Sequence, residues 1–109
     1  MEPKHLDQKP KTFTAAQLRK RIRKFASWSK ALIRKMKSSD TKPVYARYQH
    51  FAFESVASGT RACHRLRNMP VDPSGIENKE YADAMEAEFA MYYSEIETDI
   101  FSHARKETP

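Results

Sequence analysis

Apolar residues recur along the chain at three- and four-residue steps in three separate stretches, with almost none of the two-residue alternation of a half-buried strand. The first stretch predicts a helix over about 15–37, opened by Thr14, a residue type that caps helix N-termini. Turning each residue about 100° from the last places Leu18, Ile22, Phe25, Trp28, Ser29, Leu32, Ile33 and Met36 within roughly 80° of one line. Arg19, Lys20, Arg23, Lys24, Lys30, Arg34, Lys35 and Lys37 occupy the other half, and no acid interrupts them. Arg21 falls at the edge near Trp28, where its alkyl stem can cover apolar surface.

Residues 38–42 read as a turn, and Pro43 suits the first turn of a second helix over about 43–68. Val44, Tyr45, Tyr48, Phe51, Ala52, Ser55, Val56, Gly59, Ala62, Cys63 and Leu66 share one face of it. Glycine inside a helix costs roughly 1 kcal/mol against alanine. Gly59 in that stripe therefore predicts either a close crossing by another helix or a kink. A loop with two prolines and Gly75 follows. A third helix is predicted over about 77–105, with Tyr81, Met85, Phe89, Tyr92, Ile96 and Ile100 in helical period. Its polar side carries Glu80, Asp83, Glu86, Glu95 and Glu97; Glu77 near its start, and Arg105 and Lys106 near its end, suit the helix dipole.

Three long helices with short connections predict an all-α protein. The expected architecture is a single three-helix antiparallel (up-down-up) bundle over 14–106, preceded by a flexible, disordered basic tail over 1–13. A chain of 109 residues is long enough to bury one core without disulfides. The single cysteine, Cys63, is expected to be a small buried hydrophobe, and one cysteine fits a reducing, cytoplasmic setting. The first dozen residues contain no apolar run that would make a secretory signal, and no stretch approaches the roughly 20 apolar residues of a membrane span.

Charge changes the picture most. The net +6 conceals +13 over residues 1–67 and −7 over residues 68–109. Like charges four apart on a helix, such as Arg19/Arg23 and Lys20/Lys24, repel by a few tenths of a kcal/mol each. A helix that carries eight cations on one side without an acid points to a polyanionic partner, unless the acidic third helix neutralises it within the fold.

Catalytic signatures are missing from the sequence: it has no glycine-rich phosphate loop, no nucleophile elbow and no paired-cysteine metal motif, so a non-enzymatic role and no cofactor are expected. His50 and Glu54 stand one helical turn apart, with Arg61 and His64 on the same side, but two ligands fall short of the four of a closed metal site. His103 closes the apolar stripe of the third helix. Phe53, Met91 and Phe101 lie off the main stripes and could mark a partner or homodimer surface.

The sequence thus predicts a binding protein that contacts nucleic acid, DNA or RNA, or another polyanion through Arg19, Lys20, Arg23, Lys24, Lys30, Arg34, Lys35 and Lys37. Base-edge readers are not apparent, so binding should be mostly non-specific. The alternative is a protein–protein adaptor or inhibitor that docks on an acidic or charge-complementary protein.

Overall fold

The computed structural model describes residues 13–69 and 75–107. The predicted tail, apart from Phe13, and the loop over 70–74 lie outside the described residues, as do the side chains of Glu77, Arg105 and Lys106. Three helices make up the fold: α1 (Ala15–Lys37), α2 (Lys42–Arg67) and α3 (Gly75–Glu107). The boundaries follow from local chemistry. Thr14 Oγ1 accepts from the Gln17 N–H at 3.1 Å while the Gln17 side chain accepts from the Thr14 N–H at 2.9 Å, a reciprocal capping box. Thr41 caps α2 in the same way, accepting from the Val44 N–H at 3.4 Å, and Pro43 sits in the first turn. The third helix begins at Gly75, two residues earlier than the sequence predicts, so the glycine forms part of its first turn instead of breaking the chain.

Helix direction can be read from paired residues. Arg19 meets Asn78 and Lys37 meets Glu95, so α1 and α3 run parallel in a constant alignment. Tyr45 meets Asp99, Phe53 meets Tyr93, and Arg67 meets Asp83, so α2 runs antiparallel to α3. Ser29 bonds Ser55 while Lys35 lies over Tyr48, which makes α1 and α2 antiparallel too. The result is the expected up-down-up bundle.

The core is built from Leu18, Ile22, Ala26, Ile33 and Met36 of α1, Ala52, Val56, Cys63 and Leu66 of α2, and Ala82, Phe89, Tyr92 and Ile96 of α3. Several apolar placements differ from those the spacing predicts. Trp28 is 48% exposed and Leu32 only half-buried, while Ala26 takes a buried place instead. The buried face of α1 is rotated toward α3, which carries Trp28 out to the border of the helix. On α2, Val44 and Phe51 of the predicted stripe are exposed, and Phe53 is half-buried against the Tyr93 ring at 5.4 Å. Met91 and Phe101 are exposed, as their positions off the main face imply.

Between α1 and α2 two buried serines meet. Ser29 Oγ donates to Ser55 Oγ at 3.0 Å, and Ser55 Oγ donates to the Phe25 carbonyl at 3.1 Å, so neither buried hydroxyl is orphaned. Gly59 resolves in favour of a close crossing. A Cβ placed on it would overlap the Phe89 ring, which is fully buried. Gly59→Ala should therefore destabilise the bundle by about 1–2 kcal/mol, the overpacking cost outweighing the helix-propensity gain of roughly 1 kcal/mol. Denaturant melts of the single and double variants test this: in a Phe89→Leu background, which gives the new methyl group room, the cost should shrink.

Candidate nucleic-acid interface

Three effects decide what the cations of α1 can do: which helix stands beside each, whether an acid reaches it, and how far it is exposed. Arg19 leaves the solvated face. Its guanidinium donates from Nε and Nη2 to Asn78 Oδ1 at 3.2 and 2.7 Å and lies 4.9 Å from the centre of the Tyr81 ring. Asn78 is buried, so this contact satisfies a polar side chain at the α1–α3 seam. Lys37, at the other end of α1, is paired with Glu95 at 2.6 Å across the same seam. Both partners are nearly half-exposed, which limits the pair to a small fraction of the stability. These two predicted site residues therefore join α1 to α3.

The remaining six stay on the outside. Lys20, Arg23, Lys24, Lys30, Arg34 and Lys35 are all exposed. Lys24 Nζ lies 5.1 Å from the centre of the Trp28 ring, and Lys35 Nζ 5.8 Å from that of Tyr48. Among the described residues, no hydrogen bond or ion pair engages the side chains of Lys20, Arg23, Lys30 or Arg34. Several acids of α3 are turned elsewhere. Asp83 takes the Arg67 guanidinium at 2.6 Å, and Glu86 takes Arg67 at 2.8 Å and His64 at 3.0 Å. Asp99 accepts from the Tyr45 hydroxyl at 2.7 Å. Hydrogen bonds from Arg67 to these carboxylates hold its guanidinium even more firmly protonated than usual. Asp83 and Glu86 thus take up Arg67 of α2 and Glu95 takes up Lys37 of α1, while the outer face of α1 keeps its charge.

Cationic surface continues onto α2. Arg21 of α1 borders a small depression with Arg61 and Arg65 of α2, next to Phe25. Arg21 lies 4.5 Å from the centre of the Phe13 ring, and Arg61 donates to Ser58 Oγ at 3.1 Å. Helical periodicity puts Arg21 at the edge of α1 and Trp28 in its apolar stripe. The structure brings both to one exposed border, and the seven-residue step from Arg21 to Trp28 to Lys35 was the available signal.

Among the described residues, His64 and His103 contact neighbouring helices, and Cys63 is buried. His50 stays exposed, 3.9 Å from Glu54. His103 stacks on Tyr45 with ring centres 4.0 Å apart, and its Nδ1 lies 3.1 Å from the Asp99 carbonyl. Burial, and then the hydrogen bond to Asp99, push the Tyr45 hydroxyl well above the usual phenol range. No cluster of three or more metal-ligating side chains occurs among the described residues. No helix there is long and apolar enough to cross a membrane.

Cys63 is buried, and burial followed by the charge of Glu86 pushes its thiol up to about 11. Because the folded value is raised, the unfolded thiol ionises first as pH rises. The stability linked to Cys63 is complete below about pH 9 and is lost toward about pH 11. Chemical denaturation across that interval should show stability falling in the native protein and falling less in Cys63→Ala. The chain matches no family model, no curated protein and no solved structure.

Proposed function

We propose that the protein is a non-enzymatic binding protein that contacts nucleic acid through the outer face of α1, mostly without sequence specificity. One observation carries the reading: Lys20, Arg23, Lys24, Lys30 and Arg34 are exposed together, and no acid pairs with any of them among the described residues. A purely solvated helix face usually mixes its signs, because like charges one turn apart oppose the helix. From Arg23 to Arg34 the helix spans about 16 Å at about 1.5 Å per residue, a line of charge that several successive phosphates could meet. Each phosphate contact releases counterions, so affinity should fall steeply with salt.

A second reading has its own support. A groove between α2 and α3 is lined mainly by apolar residues such as Phe53, Val56, Phe89 and Tyr93, with Arg61 and Glu86 also in its lining, and Met91 stands exposed beyond it on α3. Such a surface suits a protein partner, with the charge polarity of the bundle setting its orientation. On that reading, nucleic-acid affinity is negligible at any salt concentration.

Mobility shifts and a salt titration with DNA and RNA separate the two. The combined variant Arg23→Gln/Lys30→Gln/Arg34→Gln should keep its helix content, since Gln is a good helix former. Its plot of log affinity against log salt should be shallower by roughly 2–3, about 0.7–0.9 for each phosphate contact removed. Arg19→Gln should instead lower stability and leave the slope nearly unchanged, because Arg19 serves the seam with Asn78. No mobility shift by the native protein at about 50 mM salt, a condition that favours phosphate contacts, would refute the nucleic-acid reading.

A further inference from the structure

We propose that the outer groove between α1 and α2 is a track for single-stranded nucleic acid, with Trp28 and Phe51 as surfaces on which bases stack. This narrows the nucleic-acid reading and rests on it. The geometry follows from helix spacing. A seven-residue step returns to nearly the same side of a helix, drifting by about 20° while rising about 10.5 Å. On α1, Arg21, Trp28 and Lys35 are related by such steps. On α2, Val44, Phe51 and Ser58 are related in the same way, and Arg65 continues that line. The two lines face each other at both ends: Arg21 borders one depression with Ser58 and Arg65, and Lys35 borders another with Val44 and Tyr48. Along their helices the midpoints, Trp28 and Phe51, both fall between these two depressions.

Both midpoint residues are large aromatics left nearly half in water, Trp28 at 48% and Phe51 at 45% exposure. Phe25 meets Trp28 edge-on, with ring centres 5.6 Å apart and planes at 77°, which fixes the indole on the border of the helix. The ends of the track are cationic, with Arg21, Arg61 and Arg65 at one and Lys35 at the other. Lys24 lies over the indole, so a base that stacks there displaces its ammonium toward the neighbouring phosphate. Two acids border the track: Glu54 on α2, which stands 3.9 Å from His50, and Asp40 in the turn beside Lys35. Aromatic platforms between cations match a single strand, whose unstacked bases offer π-faces while its backbone carries the charge. In a duplex those faces are already covered, and only its phosphates could answer the cations.

Trp28 is the single tryptophan, so its fluorescence reports on the track directly. The full-length protein is titrated with an oligothymidylate of about ten nucleotides, a length typical of one single-strand-binding module. A hairpin duplex of equal charge and heparin are titrated in parallel. The proposal expects the single strand to quench Trp28 and to bind more tightly than the duplex or heparin. Trp28→Ala and Phe51→Ala, followed by anisotropy of a labelled strand, should each weaken single-strand binding roughly 5- to 100-fold. Both should leave duplex affinity within about twofold, and Trp28→Phe should retain most of the single-strand affinity. Circular dichroism checks that these surface variants stay helical. If all three ligands bind with similar affinity and Trp28→Ala changes none of them, the track is wrong while the polyanion reading stands. If none binds, both fall and the protein-partner reading takes their place.

Discussion

Phe89 is seated on Gly59, and much of the bundle's geometry depends on that contact. A fully buried aromatic ring needs space, and the space comes from the missing side chain on the neighbouring helix. The same axial alignment carries Arg67 to Asp83 and Glu86 at one end of α2 and Tyr45 to Asp99 at the other. These polar contacts are adequate as locks because the helices are already brought together by packing. Alone, partly exposed ion pairs contribute little.

Satisfying α2 uses much of the charge on α3. Some of its acids turn toward the neighbouring helices, while Glu80 and Glu97 stay exposed. Asp83 and Glu86 flank the core and reach α2, and Glu95 reaches α1. Lys20, Arg23, Lys30 and Arg34 on α1 are left without an acid partner among the described residues. Packing and electrostatics are linked here: the choice of which helix stands beside which acid leaves α1 cationic.

The helices themselves were legible from Thr14, Pro43 and the three- and four-residue spacing, because capping and amphipathicity are local properties. Gly59 was legible as a close crossing or a kink, and only the identity of the residue above it decides between them. The border residues were harder. A wheel weighted by bulk places Trp28 and Leu32 inside, since Ala26 and Ser29 contribute little to an apolar axis although both are buried. Arg19 and Lys37 read as surface cations because their partners, Asn78 and Glu95, lie 59 and 58 residues away in the chain. The cationic face could be seen in the sequence. That Arg21 shares one depression with Arg61 and Arg65 requires knowing that α1 and α2 lie side by side and antiparallel.

The hydroxyl pair between α1 and α2 has a consequence for alignment. The buried residues of these two helices include Ala26, Ala52 and Ala62, small and nearly featureless residues that would tolerate several sliding positions. A slip of one helical turn, about 5.4 Å, would part Ser29 from Ser55 and leave two hydroxyls in the dry interior without partners. Each stranded group costs about 1–3 kcal/mol. The pair therefore selects among registers more than it adds cohesion, penalising misaligned versions of the bundle that apolar contact alone would barely distinguish.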